Sequence, residues 1–216
     1  MSLFRLDSSI TPQSSVSRRV ADSLEQAWTA ANGGAVVRRD LGASPIPAET
    51  WQLAVTAGFA PEDQRTPQQR AAVALAAAIG DELLAADAVV IASPLYNFSV
   101  PAQIKAWIDL LITDPRFGPG NTPLAGKPVS VVIARGGGYG PGTPRAGWDH
   151  ATPWLEQIFR DVWGGDLTVV AAELTLAQSV PAMAELKPLA DQSLEAAHKL
   201  ATETGAAHAS RLAVAS

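Results

Sequence analysis

The chain has 216 residues, 47% of them hydrophobic and 17% charged, with a formal net charge of −5. That balance suits one sizeable α/β domain and excludes a disordered chain, and basic residues clustered no further than Arg18-Arg19 and Arg38-Arg39 argue against a nucleic-acid partner. With no cysteine, disulfides, thiolate metal sites and a cysteine nucleophile are excluded, and a reducing cytoplasmic setting is expected.

Ser2–Leu6 reads as a short first strand, and Val20, Leu24, Ala27 and Trp28 as the apolar stripe of a first helix. That helix meets a stop signal at Asn32-Gly33-Gly34. Ala35–Arg39 is a second strand, followed by a Pro-rich connection from Leu41 to Gln64, irregular apart from a helical turn near Trp51. Thr66-Pro67 starts a helix that the stripe Ala72, Leu75, Ala76, Ile79 and Leu83 carries to Ala86. The bare apolar run Ala88–Ala92 is a third strand, and Ala102–Leu111 the helix after it. Pro128–Ala134 is a fourth strand. Thr152-Pro153 repeats the start signal for a helix buried through Leu155, Ile158, Phe159 and Val162. Leu167–Ala172 is a fifth strand, and Pro181 to about Ala206 a closing helix, with fraying expected from about residue 207. The amino terminus, Met1 to Ser9, is too short and polar for a signal peptide, and no apolar run approaches the length of a membrane span. Neither a membrane nor a nucleic acid is therefore an expected partner.

Strands alternating with helices call for a five-stranded parallel sheet covered on both faces, all within one domain spanning residues 1–216. Periodicity leaves two strand orders open, 2-1-3-4-5 and that of dinucleotide-binding domains. Ligands of such sheets bind beyond the carboxyl ends of the strands. The break after the third strand, Ser93-Pro94-Leu95-Tyr96-Asn97-Phe98-Ser99-Val100-Pro101, displays Tyr, Asn and Phe at that edge, which suits a flat, hydrogen-bonding aromatic ligand.

Several motifs fail. The first turn, Asp7 to Ser17, is rich in hydroxyls and has no glycine, and Gly136-Gly137-Gly138-Tyr139-Gly140-Pro141-Gly142 lacks the dinucleotide spacing. Gly120 to Lys127 has one residue too many for a P-loop, and Pro128 replaces the metal-binding hydroxyl. There is no G-x-S-x-G elbow, and His150, His198 and His208 have no metal spacing. What survives is a phosphate turn. Ser15 and Ser17 sit where the first helix begins, so hydroxyls, free N–H groups and the helix dipole can hold an anion there; ordinary serine capping accounts for them equally well. After the fourth strand, Ala134-Arg135-Gly136-Gly137-Gly138-Tyr139 lets backbone amides approach a ligand, with Arg135 able to complement electron density on a reduced ring and Tyr139 lining the same cleft. One phosphate turn and two ring-binding loops at one sheet edge describe a flavin mononucleotide (FMN) site.

At these residues the chain resembles the FMN-dependent NADH-azoreductases, a branch of the flavodoxin-like quinone reductases. The likeness lies in Ser9, Ser15-Val16-Ser17, Pro94-Leu95-Tyr96-Asn97-Phe98 and Ala134-Arg135-Gly136-Gly137, in order and at similar spacing, and extends over nearly the whole chain. Pro101-x-Gln103-x-Lys105-x-Trp107-x-Asp109 and Leu41 to Pro47 share it. The resemblance implies a flavodoxin-like three-layer sandwich with strand order 2-1-3-4-5. It implies that Ser9, Ser15, Val16 and Ser17 hold the phosphate and ribityl end of FMN, while Pro94 to Phe98 and Ala134 to Gly137 hold the isoalloxazine. It further implies a homodimer that passes a hydride from NADH or NADPH through the flavin to a quinone or azo compound. Trp51, Phe59, Phe117 and Trp148 fall in loops, where large aromatics either cover the ring or pack beneath the loop. Phe59, Phe117 and Trp148 join Asn97 and Phe98 as candidate substrate contacts. Two departures from the family bear on substrate range: a short Asp114–Gly120 segment and a long loop from Gly137 to Trp148. The alternative reading is a one-electron flavodoxin-type carrier, although such carriers have a strongly acidic face and a glycine in the phosphate turn.

Overall fold

The computed structural model describes residues 1–32 and 34–215. Five strands form one parallel sheet: β1 Ser2–Asp7, β2 Ala35–Asp40, β3 Ala88–Pro94, β4 Pro128–Ala134 and β5 Asp166–Ala172. Their order is β2-β1-β3-β4-β5, which decides between the two orders that periodicity leaves open. β3 and β4 are buried along their whole length, as expected of central strands made of Val, Ile and Ala. β2 lies at the edge and is half exposed, which its sequence AVVRRD anticipates.

Helices cover both faces. On one, α1 (Val16–Asn32) and α6 (Lys187–Ala215) enclose Leu3, Val20, Leu24, Trp28, Val90 and Val132. α6 lies against α1 at Gly205, where an added Cβ would stand 2.2 Å from the Leu24 carbonyl oxygen, so a side chain there would force the pair apart. The other face carries α2 (Glu49–Ala57), α3 (Pro67–Ala85), α4 (Ala102–Leu111) and α5 (Ala151–Glu156). Its core includes Phe4 stacked on Trp107, and Trp163 meeting the edges of Phe117 and Phe159.

Four boundaries differ from the sequence reading, each for a physical reason. The turn near Trp51 is a nine-residue helix, α2, held by burial of Thr50, Ala54 and Ala57 despite the prolines before it. α5 starts ahead of Thr152-Pro153, because the Asp149 carboxylate accepts the N–H groups of Ala151 and Thr152. It continues as a π-helical turn, Gln157–Val162. Pro181–Leu186 is a 3₁₀ turn, and the helix after it runs to Ala215, past the point where order was expected to fade. Buried Ala201 and Ala209 and a 2.8 Å bond between His208 Nε2 and Ser130 Oγ hold that last stretch to the sheet. The helix stop at Asn32-Gly33-Gly34 includes Gly33, outside the described residues. By contrast, Thr66 caps α3 with the full reciprocal box to Gln69, as its sequence requires. Among the described residues, no helix is long and apolar enough to cross a membrane.

Candidate functional site

The connections after β1, β3, β4 and β5 gather at the carboxyl edge of the sheet around a cavity of about 630 Å³. Ligand pockets commonly occupy roughly 300–1,000 Å³. Ser9, Ser15, Val16 and Ser17 line one part of it, Pro94, Leu95 and Tyr96 another, and Ala134 and Gly136 a third. The three segments singled out in the sequence therefore meet around one space.

Ser15 caps α1, since its Oγ accepts the Arg18 N–H at 3.2 Å, and it also bonds Ser17 Oγ at 3.2 Å. Capping and ligand binding are compatible here. The N–H groups of Val16 and Ser17 make no hydrogen bond among the described residues, so two main-chain donors remain at the positive end of a 17-residue helix. Arg19 lines the cavity and donates to the Ser14 carbonyl. Ser9 closes this end, 3.5 Å from the Tyr96 hydroxyl.

A buried charge network supports the turn from below. Arg5, 3% exposed, bonds Asp7, Asp22 and Glu25 and donates to the Arg18 carbonyl; Arg18 in turn pairs with Asp40. Burial pushes the Asp7 carboxyl above its usual range despite Arg5. Burial alone would raise Asp40 too, yet the Arg18 hydrogen bond and the N–H groups of Ala43 and Gly42 outweigh it and hold that carboxyl low. Gly42 is essential to the fit. A Cβ there would lie 2.0 Å from the Ser9 carbonyl oxygen.

The turn after β3 is strained. Tyr96 and Ser99 exchange both backbone hydrogen bonds across Asn97 and Phe98, whose φ values are +48° and +68°. Two left-handed residues between bonded partners make a primed two-residue turn, a conformation that Phe adopts only when its surroundings impose it. The surroundings are Trp148, edge-on to the Phe98 ring at 5.6 Å, and the His150 N–H, which donates to the Phe98 carbonyl at 2.9 Å.

Other candidates fall elsewhere. Asn97 lines a second, more open cavity of about 740 Å³ with Gln103, Lys105, His150 and Trp154, and Tyr96 borders both cavities. Arg135 does not line the main cavity: its guanidinium is spent on Glu173, Asp149 and Thr152. Gly137 is buried, with its carbonyl accepting the Leu174 N–H, and Tyr139 lies outside the lining, with its N–H bonded to Glu173. The expectation that Phe117 meets substrate is corrected, because it is 1% exposed in the core beside Trp163. Asp114–Gly120 borders neither cavity, since Arg116 fastens it to Asp81 and the Ala77 carbonyl of α3. Phe59, 84% exposed just after α2, lines neither cavity, and neither do Phe98 and Trp148.

One whole wall escaped the sequence reading. Glu173 to Leu176, Gln178 and Asp191 close the main cavity from the β5–α6 side. Leu176 Cδ1 sits where a Cβ on Gly136 would come within 2.7 Å. Position alone could have found this wall, because it follows a parallel strand at the same carboxyl edge.

Strand order and cavity together define a flavodoxin-like protein with a mononucleotide-sized cleft. Residues 1–197 match the family described as flavodoxin-like fold. An FMN-dependent NADH:quinone oxidoreductase of Streptomyces avermitilis is 42% identical over 214 residues, covering 98% of this chain and 96% of that protein. The protein of the same description from a Parafrankia species is 37% identical over 209 residues, covering 95% and 99%. An FMN-dependent NADH-azoreductase from Bacillus anthracis, solved in complex with FMN, superimposes with a TM-score of 0.78 over 96% of this chain and 99% of that one, at 19% identity, a likeness of fold. The chain belongs to the flavodoxin-like family of FMN-dependent NADH:quinone oxidoreductases.

Proposed function

We propose that this protein binds FMN in the main cavity and passes a hydride from NADH to quinones and azo compounds. The observation that carries the reading is the meeting of Ser17, Tyr96 and Gly136 around one cavity whose helix end offers donors unpaired among the described residues. Those residues fit FMN. The N–H groups of Val16 and Ser17, the hydroxyls of Ser15 and Ser17 and the cationic Arg19 suit a phosphate dianion. Leu95, Tyr96 and Gly136 suit the edge and face of a ring, and Leu174 and Leu176 exclude water from it. Held there, FMN would supply the two-electron hydride chemistry, so the protein's part is to bind, orient and shield. Asn97 and the second cavity, bordering Tyr96, are the proposed place for nicotinamide and acceptor in turn. The family resemblance supports a homodimer, and the cysteine-free chain supports a cytoplasmic setting.

The test is steady-state kinetics of FMN-reconstituted protein with NADH and a water-soluble quinone. Parallel lines in double-reciprocal plots, with NADH bleaching the bound flavin anaerobically and quinone restoring it, are expected. A protein that takes up no FMN, or takes it up without reacting with NADH, contradicts the proposal.

A further inference from the structure

We infer that Arg135 is a positioning residue that fixes the ring end of the cavity without touching the ligand. The inference rests on the FMN reading above. Arg135 lies at the carboxyl end of β4, between Ala134 and Gly136, which both line the cavity, yet it is absent from the lining itself. Its Nη1 donates to Glu173 Oε1 at 2.8 Å. Its Nη2 reaches Asp149 Oδ2 and Thr152 Oγ1, each at 2.8 Å. The fork thus joins β4 to two other stretches of chain with one planar group, which a lysine cannot do.

One connection ends on the wall of the main cavity and the other beside the turn after β3. Glu173 lines the cavity, takes the Tyr139 N–H on its carboxylate and donates its own N–H to Ser193 of α6. The Arg135 main chain adds to the same wall: its N–H donates to Ala172, and its carbonyl accepts both the N–H and the hydroxyl of Thr175. On the other side, Asp149 stands between Trp148, which packs on Phe98, and His150, whose N–H holds the Phe98 carbonyl. Anchoring Asp149 therefore braces the left-handed Asn97-Phe98 turn, a conformation that persists only where its surroundings over-determine it. One partly shielded cation ties together Gly136, the Glu173–Leu176 wall and the Tyr96–Ser99 turn. The guanidinium Nε is buried and unpartnered among the described residues, so this fork is kept although one of its donors goes unsatisfied.

A positioning role at the ring end has a thermodynamic signature that a general stabilising role lacks. Riboflavin carries the ring without the phosphate. Loosening the ring end weakens riboflavin and FMN by the same factor, whereas damage at the phosphate turn weakens FMN alone. The experiment titrates both ligands into FMN-free Arg135→Gln, Glu173→Gln, Asp149→Asn and wild-type protein by flavin fluorescence, with the melting temperature of each apoprotein measured alongside. Arg135→Gln should weaken both ligands by an equal factor of about 10 to 100, the scale on which displaced positioning groups act. Arg135→Lys should fall between wild type and Arg135→Gln. The visible circular dichroism of bound flavin should change in Arg135→Gln, and adding Glu173→Gln to it should cost little more, since both disturb one contact. Unchanged dissociation constants with only a lowered melting temperature overturn the inference, as does a loss confined to FMN. If Arg135→Gln does not fold, Glu173→Gln and Asp149→Asn decide by the same criteria. Wild-type protein that binds neither flavin would instead defeat the FMN reading itself.

Discussion

The two ends of the main cavity are built in different ways. The phosphate end is local: Ser9, Ser15, Val16, Ser17 and Arg19 lie within eleven consecutive residues, and its donors are main-chain groups fixed by helix geometry. The ring end is assembled from three distant segments, after β3, β4 and β5, and one of its turns is strained. The first takes its lining side chains and main-chain donors from one short stretch, braced from outside by Asp40 and Gly42. The second exists only when strand order and the Arg135 fork bring its parts together.

The strongest way to break this contrast is to attack the local end through a distant residue. Gly42→Val would drive a side chain into the Ser9 carbonyl, 2.0 Å from the position of a Cβ. FMN affinity should fall by about 100-fold or more, and apoprotein stability by about 1–3 kcal/mol, the usual cost of overpacking. Isothermal titration and thermal melts would read both. Unchanged binding would show that the turn is not held as described.

A milder change separates the ends. Ser17→Ala removes one hydroxyl next to the N–H groups of Val16 and Ser17 and should weaken FMN by about tenfold, the scale of a hydrogen bond to a charged group, while leaving riboflavin binding alone. Equal weakening of both ligands would erase the distinction between the two ends.

A further effect lies far from the cavity and leaves both of its ends untouched. Burial lowers the His208 pKa from 6.5 to about 4, with Asp166 opposing and Arg211 adding to the shift. The folded protein thus keeps this ring neutral where the unfolded chain protonates it. Its stabilising contribution is complete above about pH 6.5 and is lost as the pH falls toward about 4, roughly 2 kcal/mol by pH 5. His208→Gln should flatten the fall in melting temperature between pH 7 and 5 while leaving riboflavin binding at pH 7 unchanged. An identical pH slope in the variant would contradict the assignment.

Much of the fold was legible because the signals were local. β3 and β4 announce themselves as apolar β-branched runs, and Thr66-Pro67 with Gln69 writes a capping box in four residues. Strand order was not legible from periodicity, since it depends on packing between distant segments; the resemblance supplied it, and the sheet has that order. At the site, the serines and the Tyr96 turn are local signals of the same kind, and the structure sets them around the main cavity. Arg135 reads as a ligand contact in sequence, because its partners Asp149 and Glu173 lie 14 and 38 residues away and nothing in its own neighbourhood reveals that its guanidinium pairs with both. Phe117 reads as a substrate contact because a loop aromatic looks exposed in sequence, whereas Arg116 is clamped to Asp81 and Asp114 and the Phe117 ring is buried.

The most direct measurement is amide chemical-shift mapping of the FMN-free protein as FMN is added. The backbone signals of Ser17, Tyr96, Gly136 and Leu176 should move together along one saturation curve, while those of Phe117 and Trp163 stay in place. Shifts confined to the β1–α1 turn, or separate curves for the separate segments, would contradict a single shared cavity.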